Sequence, residues 1–153
     1  MEKKQMANKR YPKSVRIWLY AGLFMIFFQV IIGGITRLTE SGLSITKWEV
    51  VSGILPPLNQ GQWEEAFELY KETPQYEKVF EDMNLSEFKY IYFWEYFHRL
   101  WARLIGFVFA IPLVYFLWKR WLDRRLIWRL VVQVLLGMLV ASFGWIMVAS
   151  GLE

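Results

Sequence analysis

Three long apolar runs alternate with polar segments along the chain. The first covers 14–35 (SVRIWLYAGLFMIFFQVIIGGI), the second lies within 88–118 (FKYIYFWEYFHRLWARLIGFVFAIPLVYFLW), and the third covers 126–148 (LIWRLVVQVLLGMLVASFGWIMV). About 20 apolar residues in a helix cross the hydrocarbon of a bilayer, so each run predicts a transmembrane span. The second run is longer than one crossing. Lys119-Arg120 ends it, and counting back about 20 residues starts the crossing near Arg99. Glu95, His98 and Arg99 then sit at the outer edge, with Arg103 one turn deeper. Pro112 can kink this helix, a defect that neighbouring helices absorb.

The stretch 36–87 is polar and carries the turn formers Ser41-Gly42, Gly53, Pro56-Pro57 and Asn59-Gln60-Gly61. Within it, Trp63, Ala66, Phe67 and Tyr70 recur at i, i+3, i+4 and i+7, which predicts an amphipathic helix over 62–71. That helix can cover the rest of the loop; the preferred reading is that it also rests on the membrane surface. Loops this long without regular structure are uncommon unless functional. Residues 1–13 read as a basic tail, with Pro12 marking the helix entry. A signal peptide is the rival reading of this start. Against it stand the length of the apolar run, the interface aromatics Trp18 and Tyr20, and the lack of a cleavage site followed by a plain mature start.

Charge orients these spans. The tail is basic, and the link 118–126 carries Lys119, Arg120, Arg124 and Arg125 against Asp123, whereas 36–89 holds ten Asp/Glu against five Lys/Arg. Both basic segments flank one side and the acidic loop the other, which satisfies the positive-inside rule for all three spans with the amino terminus cytoplasmic. The composition, 56% hydrophobic and 19% aromatic, is too apolar for an ordinary soluble domain. The net charge of +4 is sorted by segment rather than spread on one face, which argues against a nucleic-acid partner. With no cysteine, thiolate chemistry and disulfides are excluded, and any redox chemistry needs a bound cofactor.

Ionisable groups in or beside a span are costly and are candidate functional residues. They cluster on the second helix as Glu95, His98, Arg99 and Arg103. Glu95 and His98 share a face, and Glu95, Arg99 and Arg103 follow at four-residue steps as a ladder. His98 is the single histidine of the sequence, and a neutral imidazole suits heme iron. Glu95 can orient it or handle protons, and two arginines suit propionates or another anion. The bland alternative is an interface histidine beside a Glu–Arg pair that fixes helix packing. Zinc is disfavoured because its sites want three or four ligands. Gly33-Gly34 and the stripe Gly137, Ala141, Gly144 read as close helix contact, or else as clearance for a flat macrocycle. Gln29 and Gln133 are expected to bond across helices.

The segments GGITRLTESGLSITKWEVVSGILPPLNQGQWEEAFELYKETPQY (33–76), LSEFKYIYFWEYFHRLWARLIGFVFAIPLVYF (85–116) and GWIMVASGL (144–152) together resemble the heme A synthase family. The likeness runs from about residue 15 to the end, and the cysteine-free loop resembles the subgroup that includes mitochondrial enzymes. The resemblance implies an all-α membrane fold of two similar four-helix halves that oxidises the C8 methyl of heme O to the formyl of heme A for cytochrome oxidase assembly. It implies a histidine pair around the substrate heme in one half and a heme b in the other. By motif, His98 matches the first histidine of the amino-terminal pair and so an iron ligand. Glu95 matches the glutamate proposed to assist the oxidation. Arg99 and Arg103 become candidates for propionate contacts, with Arg37 of the Thr-Arg-Leu-Thr string a weaker one.

The expected domain, 14–153, is thus three spans of a four-helix half-bundle, with a long outer loop that contains an amphipathic helix. The sequence stops after the third span, short of the fourth helix and the second half, and so reads as a truncated or split product. Expected partners are membrane lipid, heme O and heme A, and either heme O synthase or a complementary chain. The expected site is the bacterial plasma membrane, which the short tail favours over the mitochondrial inner membrane. A non-catalytic heme-binding or helix-pairing module is the alternative.

Overall fold

The computed structural model describes residues 11–46 and 55–151. The basic tail, but for its last three residues, lies outside them, as do Gly53 and residues 152–153. Among the described residues five helices follow in the order α1 (Lys13–Leu38), α2 (Gln60–Lys71), α3 (Pro74–Val79), α4 (Leu85–Trp118) and α5 (Arg124–Gly151). Three of them, α1, α4 and α5, are long and apolar enough to cross a membrane. All three spans read from the sequence are therefore present, each extended by a few residues.

Local chemistry sets the ends. Pro12 precedes α1, and its carbonyl accepts the Arg16 N–H at 3.2 Å. At the other end Glu40 takes φ 52°. Ser41 N–H bonds back to the Thr36 carbonyl and Glu40 N–H to that of Arg37. This is the paired C-terminal turn usually built on glycine. Residue 120 ends α4 in the same way: Arg120 has φ 54°, Trp121 N–H bonds to the Phe116 carbonyl, and the Trp121 and Phe116 rings stack at 5.7 Å. The start of α4 is fixed by Asn84, whose side chain accepts the Ser86 and Glu87 N–H groups while Glu87 reaches back to the Asn84 N–H. This capping box starts the helix at Leu85, ahead of the apolar run.

At 1.5 Å per residue, the 34 residues of α4 span about 51 Å, well beyond a hydrocarbon core of ~30 Å. Its first turns project on the loop side, where α2 covers them. Phe67 and Tyr70 of α2 and Phe88 and Ile91 of α4 form a buried aromatic core, flanked by Trp63, Tyr76 and Tyr92. The amphipathic helix forms as its spacing requires. Two residues of its apolar face, Phe67 and Tyr70, are buried against α4, while Trp63 and Ala66 stay partly exposed. Helix α3, which no periodicity announced, follows through Thr73, whose hydroxyl bonds the Tyr70 carbonyl at 2.7 Å.

Tyr70 is fully buried, and its hydroxyl meets no partner among the described residues. Burial first, then the charges of Glu95 and Glu40, push its phenol up from 10.0. The neutral phenol is the form favoured by folding. Its contribution to stability is therefore complete below pH 10.0 and is lost as pH rises through the folded value. Tyr70→Phe is expected to be at least as stable as the parent at pH 8, by up to about 1 kcal/mol, because an unsatisfied hydroxyl leaves the core. Its melting temperature should also fall less steeply above pH 10 than the parent's. Identical pH profiles in detergent melts would contradict this.

Helices α1 and α4 form the antiparallel core pair. Two indoles lock it: Trp18 Nε1–H donates to the Val108 carbonyl at 2.9 Å, and Trp101 Nε1–H to the Met25 carbonyl at 3.0 Å. The first bond answers a particular need. Pro112 lies inside α4 and has no N–H, so the carbonyl four residues earlier, Val108, loses its helical donor. Trp18 replaces it across the interface, the kind of repair that lets proline persist in a span. Trp18→Phe is expected to cost about 1–3 kcal/mol, and the penalty should shrink in a Pro112→Ala background, where an N–H returns. A double-mutant cycle of unfolding in micelles reads that coupling; additive effects would show that the two residues act separately.

Helix α5 touches this pair only near its ends. Leu130 joins Val15, Trp18, Phe116 and Leu122 in a buried cluster on the basic side. Val148 is buried on the loop side, and Met147 reaches within 3.6 Å of a side-chain position at Gly42. Every residue from 131 to 147 between them is exposed. The small stripe at Gly137, Ala141 and Gly144 therefore makes no close helix contact among the described residues, contrary to expectation. Gln133 is exposed, and the Gln29 amide oxygen is buried without a partner there, so neither forms the expected interhelical bond.

Candidate functional site

Four candidate residues sit on α4 within two and a half turns, where the helix leaves the α1 pairing and meets the loop. Glu95 is only 2% exposed. The turn that closes α1 brings Ser44 and Ile45 to it: Ser44 Oγ–H donates to Oε2 at 2.7 Å and Ile45 N–H to the same oxygen at 2.8 Å. Arg99, one turn along α4, pairs with Oε1. Ser44 Oγ also lies 3.0 Å from the Ser41 carbonyl, but a hydroxyl has one proton, and the shorter, charge-assisted contact claims the larger share. Three donors thus converge on one carboxylate, joining the segment after α1 to the side of α4.

The Glu95–Arg99 step of the expected ladder is present. Arg103, a turn further, lines a cleft of about 420 Å³ together with Arg99, Tyr92, Tyr96, Ser44 and residues of α2. Its Nη1 is buried without a hydrogen-bond partner among the described residues. A larger recess of about 890 Å³, bordered by Glu77, Glu81, Asp82 and Glu87, contains none of the candidate residues.

His98 points the other way, onto α1. It is half-buried, and its ring lies against Gly33: a Cβ there would stand 3.2 Å from Nε2. It forms no hydrogen bond with Glu95 or any other described residue, so the carboxylate does not orient the imidazole directly. Arg37, in the last turn of α1, is exposed and makes no ion pair with a described residue. The structure therefore brings Arg99 and Arg103 to the cleft, ties Glu95 to Arg99 beside it, sets His98 in the α1–α4 seam, and leaves Arg37 apart. Sequence reasoning did not single out Ser44 and Ile45. Ser44 belongs to the Ser-Gly-Leu-Ser string, but only the turn at Glu40 reveals what it reaches.

Three membrane-length helices with a buried carboxylate–guanidinium pair and a half-buried imidazole near one end define a multi-pass integral membrane protein with an ionisable site toward one face of the bilayer. The chain belongs to the cytochrome oxidase assembly protein family, whose model matches residues 16–153. It is 51% identical over 140 residues to a heme A synthase of Nitrosospira multiformis, covering 92% of this chain and 39% of that protein. It is 48% identical over 146 residues to one of Flavobacterium johnsoniae, covering 94% and 43%. It is 52% identical over 141 residues to one of Rhodospirillum centenum, covering 92% and 38%. The chain thus spans about two fifths of the length of these curated relatives. No solved structure matches it. The family resemblance read from residues 33–76, 85–116 and 144–152 is borne out.

Proposed function

We propose that this chain supplies three helices of a heme A synthase half-bundle, working in oxidation of the C8 methyl of heme O to the formyl of heme A. The observation that carries the reading is His98: a half-buried imidazole, without a hydrogen bond to any described residue, lying over a glycine inside a membrane helix pair. The donor types suit a heme, although His98 and the Arg103 cleft lie on different sides of α4. A neutral imidazole nitrogen is a standard axial ligand. The buried, unpartnered Nη1 of Arg103 is a donor suited to a propionate oxygen. The glycine keeps a side chain out of the space beside Nε2. When bound, the heme supplies the oxidisable methyl and the iron; methyl to formyl is a four-electron oxidation, so an electron acceptor is required.

In this reading His98 binds iron and Arg103 holds a propionate. Arg99 shares its charge between Glu95 and the cleft, and Arg37 adds a cation at the loop-side end of α1. Glu95 is the acid–base or charge-stabilising group. A second role for Glu95 is favoured by its three donors: a positioning carboxylate that keeps the segment after α1 closed over α4. The amino terminus is placed on the cytoplasmic side of a bacterial plasma membrane in this reading, which the basic flanks support. Heme b belongs to a further histidine pair outside this chain. A heme O synthase or a complementary chain is the partner that delivers heme or completes the bundle.

The test is to purify the chain in detergent and titrate it with heme O. A saturable Soret shift with conversion to the formyl heme supports the enzyme. Binding without conversion assigns the chain a heme-binding module. A titration indistinguishable from empty micelles overturns both.

A further inference from the structure

We propose that Gly33 is a positioning residue for the His98 imidazole, its missing side chain being what lets the ring edge that bears Nε2 lie in the α1–α4 seam. The inference rests on the reading of His98 as a heme ligand, but it can fail separately.

Three observations carry it. A Cβ at Gly33 would stand 3.2 Å from His98 Nε2 and 3.6 Å from Cδ2, and His98 is the one described residue beyond its own helix turn within 4 Å of that position. The space is therefore kept for the imidazole and not for close approach of the two backbones, the usual reason for small residues in paired spans. Second, the requirement is local. A Cβ at the neighbouring Gly34, or at Gly22 on the same helix, would meet nothing within 4 Å. Third, glycine is a poor choice for a helix interior by intrinsic propensity, yet α1 runs unbroken through residue 33. Gly22 and Gly34 share that cost with nothing against them, so it is the imidazole contact that singles out Gly33.

The chemistry follows from distance. A metal–imidazole bond is about 2.0–2.1 Å long. A methyl group 3.2 Å from Nε2 is inside ordinary van der Waals distance, so the ring must give way and the nitrogen set for such a bond would move. Gly33→Ala should therefore alter the ring's setting, while Gly34→Ala, one residue away on the same helix, does not.

The sequence offers a clean probe, because His98 is its single histidine. A chain labelled with ¹⁵N-histidine in detergent gives one imidazole spin system. The expected result is that Gly33→Ala moves these signals and Gly34→Ala leaves them in place. In a heme titration, Gly33→Ala should weaken binding by at least tenfold, the lower bound for disturbing a group that supports a metal ligand. Should Gly33→Ala destabilise the chain, the double variant with His98→Ala decides the cause: the loss of stability should vanish once the imidazole is gone. Unchanged signals and unchanged heme binding in Gly33→Ala, or an equal loss of stability with and without the imidazole, overturn the proposal. If parent and His98→Ala titrate heme alike, the ligand reading fails instead, and the imidazole signals and the stability cycle still decide whether Gly33 positions the ring.

Discussion

Glu95→Ala is expected to destabilise the loop side of the bundle by about 3–5 kcal/mol, the usual penalty for breaking a buried, hydrogen-bonded ion pair by removing one partner. The size follows from what would be left behind. Ser44 Oγ–H, Ile45 N–H and the Arg99 guanidinium all donate to this carboxylate. Alanine would strand the Ile45 N–H in a site that is almost fully enclosed, leave Ser44 only the Ser41 carbonyl, and take the carboxylate from Arg99. Glu95→Gln is the milder variant. Its amide oxygen can accept from Ser44 and Ile45, but its NH₂ meets a guanidinium, which has no acceptor to offer. Ser44→Ala removes a single charge-assisted bond and should cost about 1.5–3 kcal/mol.

The readout is limited proteolysis with thermal melting in detergent. Glu95→Ala should expose the segment 41–46 to cleavage, and adding Ser44→Ala to it should cost little more, since the bond is already lost. A melt of Glu95→Ala within error of the parent, with 41–46 still protected, would sink the latch. So would full additivity with Ser44→Ala. The outcome also bears on the two readings of Glu95. If Glu95→Gln folds as the parent does yet loses heme conversion, an acid–base role remains. If conversion falls only in step with proteolytic opening, the carboxylate positions and does no more.

Much of this architecture was legible in the sequence because a bilayer asks a simple question of each segment. Residues 14–35 and 126–148 answered it by length alone, and α1 and α5 follow them closely. The start of α4 was also written locally, in the Asn84-x-x-Glu87 capping box, although hydropathy placed the run three residues later. What the sequence could not supply was partnership. The amphipathic spacing of Trp63, Ala66, Phe67 and Tyr70 states that one face seeks cover, but spacing cannot distinguish the side of α4 from a lipid surface. Gly137, Ala141 and Gly144 likewise mark a face without naming its neighbour. The turn at Glu40 was illegible for another reason. A left-handed residue is usually glycine, and here the glycine stands two places later. That displacement hid the route by which Ser44 and Ile45 reach Glu95. Pro112 was read as a kink, whereas its consequence, an orphaned Val108 carbonyl repaired by Trp18, requires the helix pairing to be known.

His98→Ala is expected to abolish imidazole ligation altogether, because no second histidine exists in the sequence to substitute for it. Removing a group that merely supports a ligand costs about 10–100-fold in metal affinity; removing the ligand itself should cost more, so heme affinity should fall by over a hundredfold or to the level of empty micelles. The fold should survive the change. His98 is only half-buried and forms no hydrogen bond with a described residue, so alanine strands no polar partner, and Gly33 opposite asks for no filling. This separates His98→Ala from Glu95→Ala, in which lost binding and lost structure go together. Chemical rescue sharpens the test. His98→Gly leaves a slot between two glycine positions, and free imidazole supplied in the medium should enter it and restore the Soret position of the parent, since the ligand atom returns without its tether. Rescue requires that the imidazole ring, and no other property of the side chain, carries the binding. Parent-like heme spectra in His98→Ala without imidazole would show that the iron is held elsewhere, and the proposed function would lose the residue on which it stands.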